Sequence, residues 1–187
     1  MKKSGLAALA LLGTLLISGC NQLAQYSLSE QEINQYLQQH NDYQKQLGVP
    51  GVVDAQITLT ELTSQIGRAE PGKVTLSGNA KVDISSLLGK QQADMKLTLK
   101  AQPVFNKDEG AIYLKDMELV DYSVQPEKLQ TVLQTLTPYL NQSLKSYFDQ
   151  KPAYVLNPER NNKEALAKKL AKGIEVKPGQ LVIMLTD

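Results

Sequence analysis

The chain has 187 residues with one cysteine, one histidine and no tryptophan, and its 20 basic side chains face 19 acidic ones. Near-neutral charge removes the electrostatic footing for nucleic-acid binding, and a lone cysteine excludes an internal disulfide. No Gly/Ser-rich or Pro-rich linker divides the chain and no repeat recurs in it, so the length fits one domain with a sizeable core.

Lys2 and Lys3 precede an apolar run from Leu6 to Ile17, the charged and apolar regions of a bacterial export signal. The run is too short to cross a bilayer, which takes roughly 20 apolar residues. Ile17-Ser18-Gly19-Cys20 resembles the lipobox of bacterial lipoproteins. The resemblance implies that the signal, residues 1–19, is removed, that Cys20 receives a thioether-linked diacylglycerol, and that its new amine is acylated. At about 0.8 kcal/mol per buried CH₂, two or three such chains anchor firmly where one anchors marginally. Loss of the signal takes two lysines and no acid, leaving 18 basic against 19 acidic groups. Enterobacterial lipoproteins kept in the inner membrane usually carry Asp after the cysteine. Asn21 stands there, which implies transfer to the periplasmic face of the outer membrane. Residues 20–27 are expected as a lipidated tether. From Asn21 to Ser27 it extends at most about 25 Å, which keeps the folded domain, residues 28–187, close to the bilayer.

The domain opens at Ser29-Glu30-Gln31-Glu32, where Ser29 and Glu32 can form a capping box and Leu28 can staple onto Ile33. Ile33, Tyr36, Leu37, His40 and Leu47 share one helical face, and Gly48 with Pro50 is expected to end the helix. Strict alternation then predicts four long strands: Val53 to Leu59, Val74 to Ile84, Ala93 to Ala101, and Ile112 to Leu119, the last with a bulge before Met117. The links Glu70-Pro71-Gly72-Lys73, Leu88-Gly89-Lys90 and Asn106-Lys107-Asp108-Glu109-Gly110 are turn compositions too short for crossover helices, so the strands form an antiparallel meander. From Pro126, suited to the first helical position, an apolar stripe of Leu129, Val132, Leu133, Leu136, Leu140, Leu144, Tyr147 and Phe148 runs to about Asp149. Pro138 is expected to interrupt and kink that helix. Tyr154-Val155-Leu156 suits a short strand. Asn162 is expected to cap a small helix with Leu166 and Leu170 inside and Lys168, Lys169 and Lys172 near its C-terminal dipole. Ile174 to Leu185, turned at Pro178-Gly179, closes the chain as a hairpin.

Parts for catalysis are scarce. His40 is the only histidine and Cys20 goes to lipid, so neither a Ser-His-Asp nor a Cys-His arrangement can be assembled, nor a His/Cys metal cluster. His40 is read as a helix residue at the edge of the apolar face, and Asp108 with Glu109 as solvated turn charge. Gly67, Gly72, Gly78 and Gly89 are scattered and form no phosphate-cradling loop. The chain is read as non-enzymatic, with no metal and no cofactor.

Geometry remains. A long helix on a one-sided antiparallel sheet either fills the gap with its own side chains or leaves an elongated apolar slot, and mid-sized aliphatics with only Phe105 and Phe148 as phenylalanines suit a slot wall. The slot would be lined by Leu97, Leu99, Leu129, Leu133, Leu136, Leu140 and Leu144. The segments Ser29-Glu30-Gln31-Glu32-Ile33-Asn34, Leu62-Thr63-Ser64-Gln65-Ile66-Gly67-Arg68, Val124-Gln125-Pro126-Glu127-Lys128, Pro138-Tyr139-Leu140-Asn141-Gln142 and Ala167 to Gly179 resemble the YceB-type lipoproteins of enterobacteria over essentially the whole chain. That resemblance implies an α+β fold of the TULIP-like lipid-binding kind, a curved antiparallel sheet around a long helix, and carries no catalytic residues. The expectation is an outer-membrane-anchored periplasmic protein binding a lipid or other elongated apolar ligand as carrier, scavenger or sensor. The alternative is a non-catalytic adaptor or interaction protein with a filled core that recruits an envelope enzyme.

Overall fold

The computed structural model describes residues 24–87 and 89–186. Residues 1–19, expected as an export signal, and Cys20 and Asn21 lie outside the described residues. Strand β1 (Gln25–Ser29) leads directly into helix α1 (Glu30–His40). The capping box forms: the Glu32 N–H donates to Ser29 Oγ at 3.3 Å, and the Ser29 N–H donates to Glu32 Oε2 at 2.8 Å. Leu28, Ile33 and Leu37 are buried beside it.

The helix does not continue to Leu47. It ends at His40, and Gln44–Val49 form strand β2, antiparallel to β3 (Val53–Ile66). Of the expected helix stop, Gly48 lies within β2 and Pro50 opens a hairpin turn, with Gly51 at φ +77 and the Val52 N–H donating to the Val49 carbonyl at 3.0 Å. Between His40 and Leu47 the sequence offers a helix little apolar surface, whereas β3 offers six residues a partner in register.

The predicted strands are present as β3, β4 (Val74–Ser86), β5 (Gly89–Asn106) and β6 (Ala111–Gln125), and the meander is antiparallel. Alternate residues are buried on one face and exposed on the other. The bulge before Met117 falls at Asp116, which sits at φ +51. Two further register shifts, beside Leu59 in β3 and Leu119 in β6, bend the sheet. A two-residue β7 (Tyr154–Val155) completes the order β2-β3-β4-β5-β6-β7.

Pro126 precedes the long helix instead of starting it: Glu127–Leu129 form a 3₁₀ turn, and helix α2 spans Gln130–Gln150. Pro138 lies within α2 without interrupting it. Gln134 and Pro138 are both exposed, so the carbonyl that lacks the proline's N–H faces water. Helix α3 (Asn162–Leu170) is capped by Asn161 and not Asn162, with Asn161 Oδ1 accepting from the Glu164 N–H at 2.8 Å. Its buried face is Glu164 and Ala167, while Leu170 is exposed. The terminal hairpin, β8 (Gly173–Lys177) and β9 (Gln180–Met184), gains β1 as a third strand in the order β1-β9-β8. Residues 25–27, expected as tether, are therefore part of this sheet.

β2 covers only the first half of β3. Along the second half α1 supplies the missing partners: Asn34 Oδ1 accepts from the Ser64 N–H at 2.6 Å and from Ser64 Oγ at 2.7 Å, and Glu30 Oε2 accepts from the Ile66 N–H at 3.2 Å. Helix α2 touches both β6 and β2. Those strands stand four positions apart, about 19 Å across a flat sheet at ~4.8 Å per strand, against roughly 10–12 Å for a helix. The sheet therefore curls around α2. The result is an α+β fold in which an antiparallel meander wraps a long helix.

Candidate functional site

The inner face of α2 repeats at 3, 4, 4 and 4 residues: Leu133, Leu136, Leu140, Leu144 and Phe148, all buried. Leu97 and Leu99 of β5 belong to the same core. Gly78 of β4 lets Leu97 lie close, since a Cβ there would stand 3.1 Å from Leu97 Cδ1 and 3.0 Å from Leu62 Cδ2. The structure brings all seven expected lining residues into one core, including Leu129 at the foot of the helix. Each is between 0 and 3 % exposed. In this state the space between helix and sheet is occupied by the protein's own side chains.

Open space lies instead along one flank of α2. A groove of about 470 Å³ separates α2 from β2, with Tyr43, Leu47, Tyr139, Gln142, Ser143 and Tyr147 among its walls. A second recess of about 410 Å³ adjoins it at the end of α1, sharing Asp42 and Tyr147. Tyr43 donates its hydroxyl to Ser143 Oγ at 3.0 Å, and its ring meets Tyr147 edge-on with centroids 5.1 Å apart. The Tyr147 hydroxyl donates to Asp42 Oδ1, and Lys151 Nζ donates to Asp42 Oδ2 at 2.7 Å. Those two donors hold the Asp42 carboxyl below the usual range. Burial first, then the hydrogen bond to Asp42, pushes the Tyr147 hydroxyl above the ordinary tyrosine range, and burial does the same to Tyr43. His40 is exposed; it donates Nδ1–H to the Tyr36 carbonyl at 2.8 Å and stacks on the Tyr36 ring.

Sequence reasoning missed this groove. A signal was there: Tyr139, Ser143 and Tyr147 recur every fourth residue, a second stripe beside the leucines. Among the described residues no cluster of His, Cys, Asp or Glu is placed to hold a metal ion.

Residues 28–180 match the model of a protein family described as a protein of unknown function, DUF1439. The chain is 63% identical to a lipoprotein of Escherichia coli strain K12, YceB, over 97% of this chain and 98% of that one. It is 62% identical to the YceB lipoprotein of Salmonella typhimurium over the full length of both. Among solved structures, a crystal structure of lipopolysaccharide binding protein aligns with a TM-score of 0.32 at 11% identity, covering 87% of this chain; the chain spans half the length of that protein. The chain belongs to the DUF1439 family, alongside the YceB lipoproteins.

Proposed function

We propose that this protein is a membrane-anchored envelope lipoprotein that binds a lipid or similar elongated apolar ligand between α2 and the curled sheet. Anchoring rests on the lipobox-like segment ending at Cys20 and on relatives that are lipoproteins. Placement on the periplasmic face of the outer membrane rests on Asn21 alone, and membrane fractionation that finds the protein in the inner membrane overturns it. No helix among the described residues is long and apolar enough to span a bilayer. The protein is proposed to bind and not to catalyse.

The observation that carries the ligand reading is the wall chemistry. The sheet reaches α2 from both sides, through β2 and β6, and along four turns of helix the buried side chains are leucines, with Phe148 at one end. Leucine-on-leucine contact has no directional bonds to break, so an acyl chain can substitute for it at little cost. A second reading, a non-catalytic adaptor that recruits an envelope partner, draws support from the same residues: a core 0 to 3 % exposed already has an occupant, its own side chains.

Native mass spectrometry of the chain from residue 21, produced without its lipid, separates the two. A carrier retains a bound apolar molecule, or takes up the neutral probe 1-N-phenylnaphthylamine when stripped. A chain that is bare and takes up no probe belongs to the adaptor reading.

A further inference from the structure

The two flanks of α2 are fastened differently. Toward β6 the helix is tied at three heights: the Leu119 N–H donates to Asn141 Oδ1 at 2.7 Å, Lys145 pairs with Asp116 at 3.3 Å, and Lys115 reaches the Asp149 carbonyl at 2.6 Å. Toward β2, among the described residues, no hydrogen bond or ion pair joins helix to strand. The ties on that side go to Tyr43 and Asp42, in the link before β2, and only from Ser143, Tyr147 and Lys151 at or beyond the C-terminal half of the helix. The groove lies along this unfastened flank, and Tyr139 stands 48% exposed on its wall.

We infer that the α2–β2 seam is the mouth of the lipid site, opening about the fastened β6 flank, and that it admits a single-chain lipid with an uncharged, hydroxylated head group. This rests on the ligand reading above. The head-group class follows from the groove's rim: tyrosine, serine and glutamine groups offer both donors and acceptors to hydroxyls. Among the described residues Lys45 is the only cation lining it, and Asp42 is already engaged by Lys151 and Tyr147. A phosphate entering there finds little to compensate its charge. The tail passes beneath the helix beside Leu47, which already packs on the core.

The test uses the chain from residue 21, so that no native thiol is present. A short bismaleimide bridges Lys45→Cys and Gln142→Cys, both exposed, across the seam; a control pair, Lys115→Cys and Asp149→Cys, is bridged across the β6 flank. Uptake of 1-N-phenylnaphthylamine should slow by about tenfold or more in the seam-bridged protein and stay near wild type in the control, as for a blocked lid. Monooleoylglycerol should displace the probe about tenfold better than oleoyl lysophosphatidic acid. Unchanged uptake after seam bridging overturns the mouth while leaving ligand binding intact. Equal or better displacement by the phosphate lipid overturns the head-group class. Unmodified protein that takes up no probe removes the ligand reading itself, and this inference with it.

Discussion

Beneath α2 the contacts are aliphatic and have no direction of their own, whereas around Glu164 almost every contact is a hydrogen bond that fixes an angle. Glu164 is 1% exposed. Its Oε1 accepts from the Tyr154 hydroxyl at 3.1 Å, the Tyr26 hydroxyl at 3.3 Å and Arg160 at 2.9 Å, and its Oε2 accepts from the Asn157 N–H at 2.7 Å. One carboxylate thus ties β1, α3 and the two-residue β7 at the edge of the large sheet. Burying that charge is tolerable only because its lone pairs are met and a guanidinium stands beside it. The lesson is a division of labour. The end of the molecule that bears β1 is locked into one geometry, while the helix–sheet interior keeps the freedom to repack.

The largest expected effect is at the interior. Leu140→Ala leaves a void between α2 and the sheet and should cost about 3 kcal/mol, within the ~2–5 kcal/mol typical of such truncations. The urea midpoint should fall accordingly, with the slope unchanged. A loss well under 1 kcal/mol would mean that the helix closes down over the gap and that the interior repacks freely.

Next comes the knot. Glu164→Gln keeps the shape but removes the charge that strengthens its hydrogen bonds, for an expected cost of about 2 kcal/mol. Its signature should be local: amide exchange should quicken in β1 and α3 and stay slow in β4 and β5. Uniformly faster exchange would show that the two regions unfold as one unit, and the contrast would lapse.

The smallest effect is alkaline. Burial, and then the charge of Glu164, pushes the Tyr154 hydroxyl up to about 12, against about 10 for an exposed tyrosine. Because the folded value is the higher one, this contribution is fully present below pH 10 and is lost as the pH rises from about 10 toward 12. Thermal midpoints across that window should decline less steeply in Tyr154→Phe than in the wild type. Parallel curves would remove Tyr154 from the account.

What the sequence made legible was whatever one period could express. The four long strands and the bulge at Asp116 were readable because a half-buried strand must alternate, and a bulge is a slip in that alternation. The Ser29–Glu32 cap was readable because its partners lie three residues apart. Elements decided by distant pairing were not. Gln44–Val49 has a weak pattern of its own and becomes β2 because β3 offers it an edge; Gln25–Ser29 becomes a strand because β9 does. Asn161 displaced Asn162 as the cap of α3 because Glu164, bound to Tyr26 and Tyr154, fixes where that helix begins. The expected slot residues did converge, yet whether they line a void or fill it depends on how closely a curled sheet meets a helix, which no linear pattern encodes.

The contacts by which α1 covers β3 bear on crowding. A lipid-anchored protein shares a surface with its copies, oriented alike, so any open strand edge meets its neighbour's again and again. Unpaired edges are templates for intermolecular sheets. Asn34 and Glu30 occupy the N–H groups of Ser64 and Ile66, and Asn41 Nδ2 donates to the Leu59 carbonyl at 3.1 Å. These three side chains deny the part of the β3 edge that β2 leaves uncovered to a second copy, so that dense packing on a membrane need not seed a fibril there.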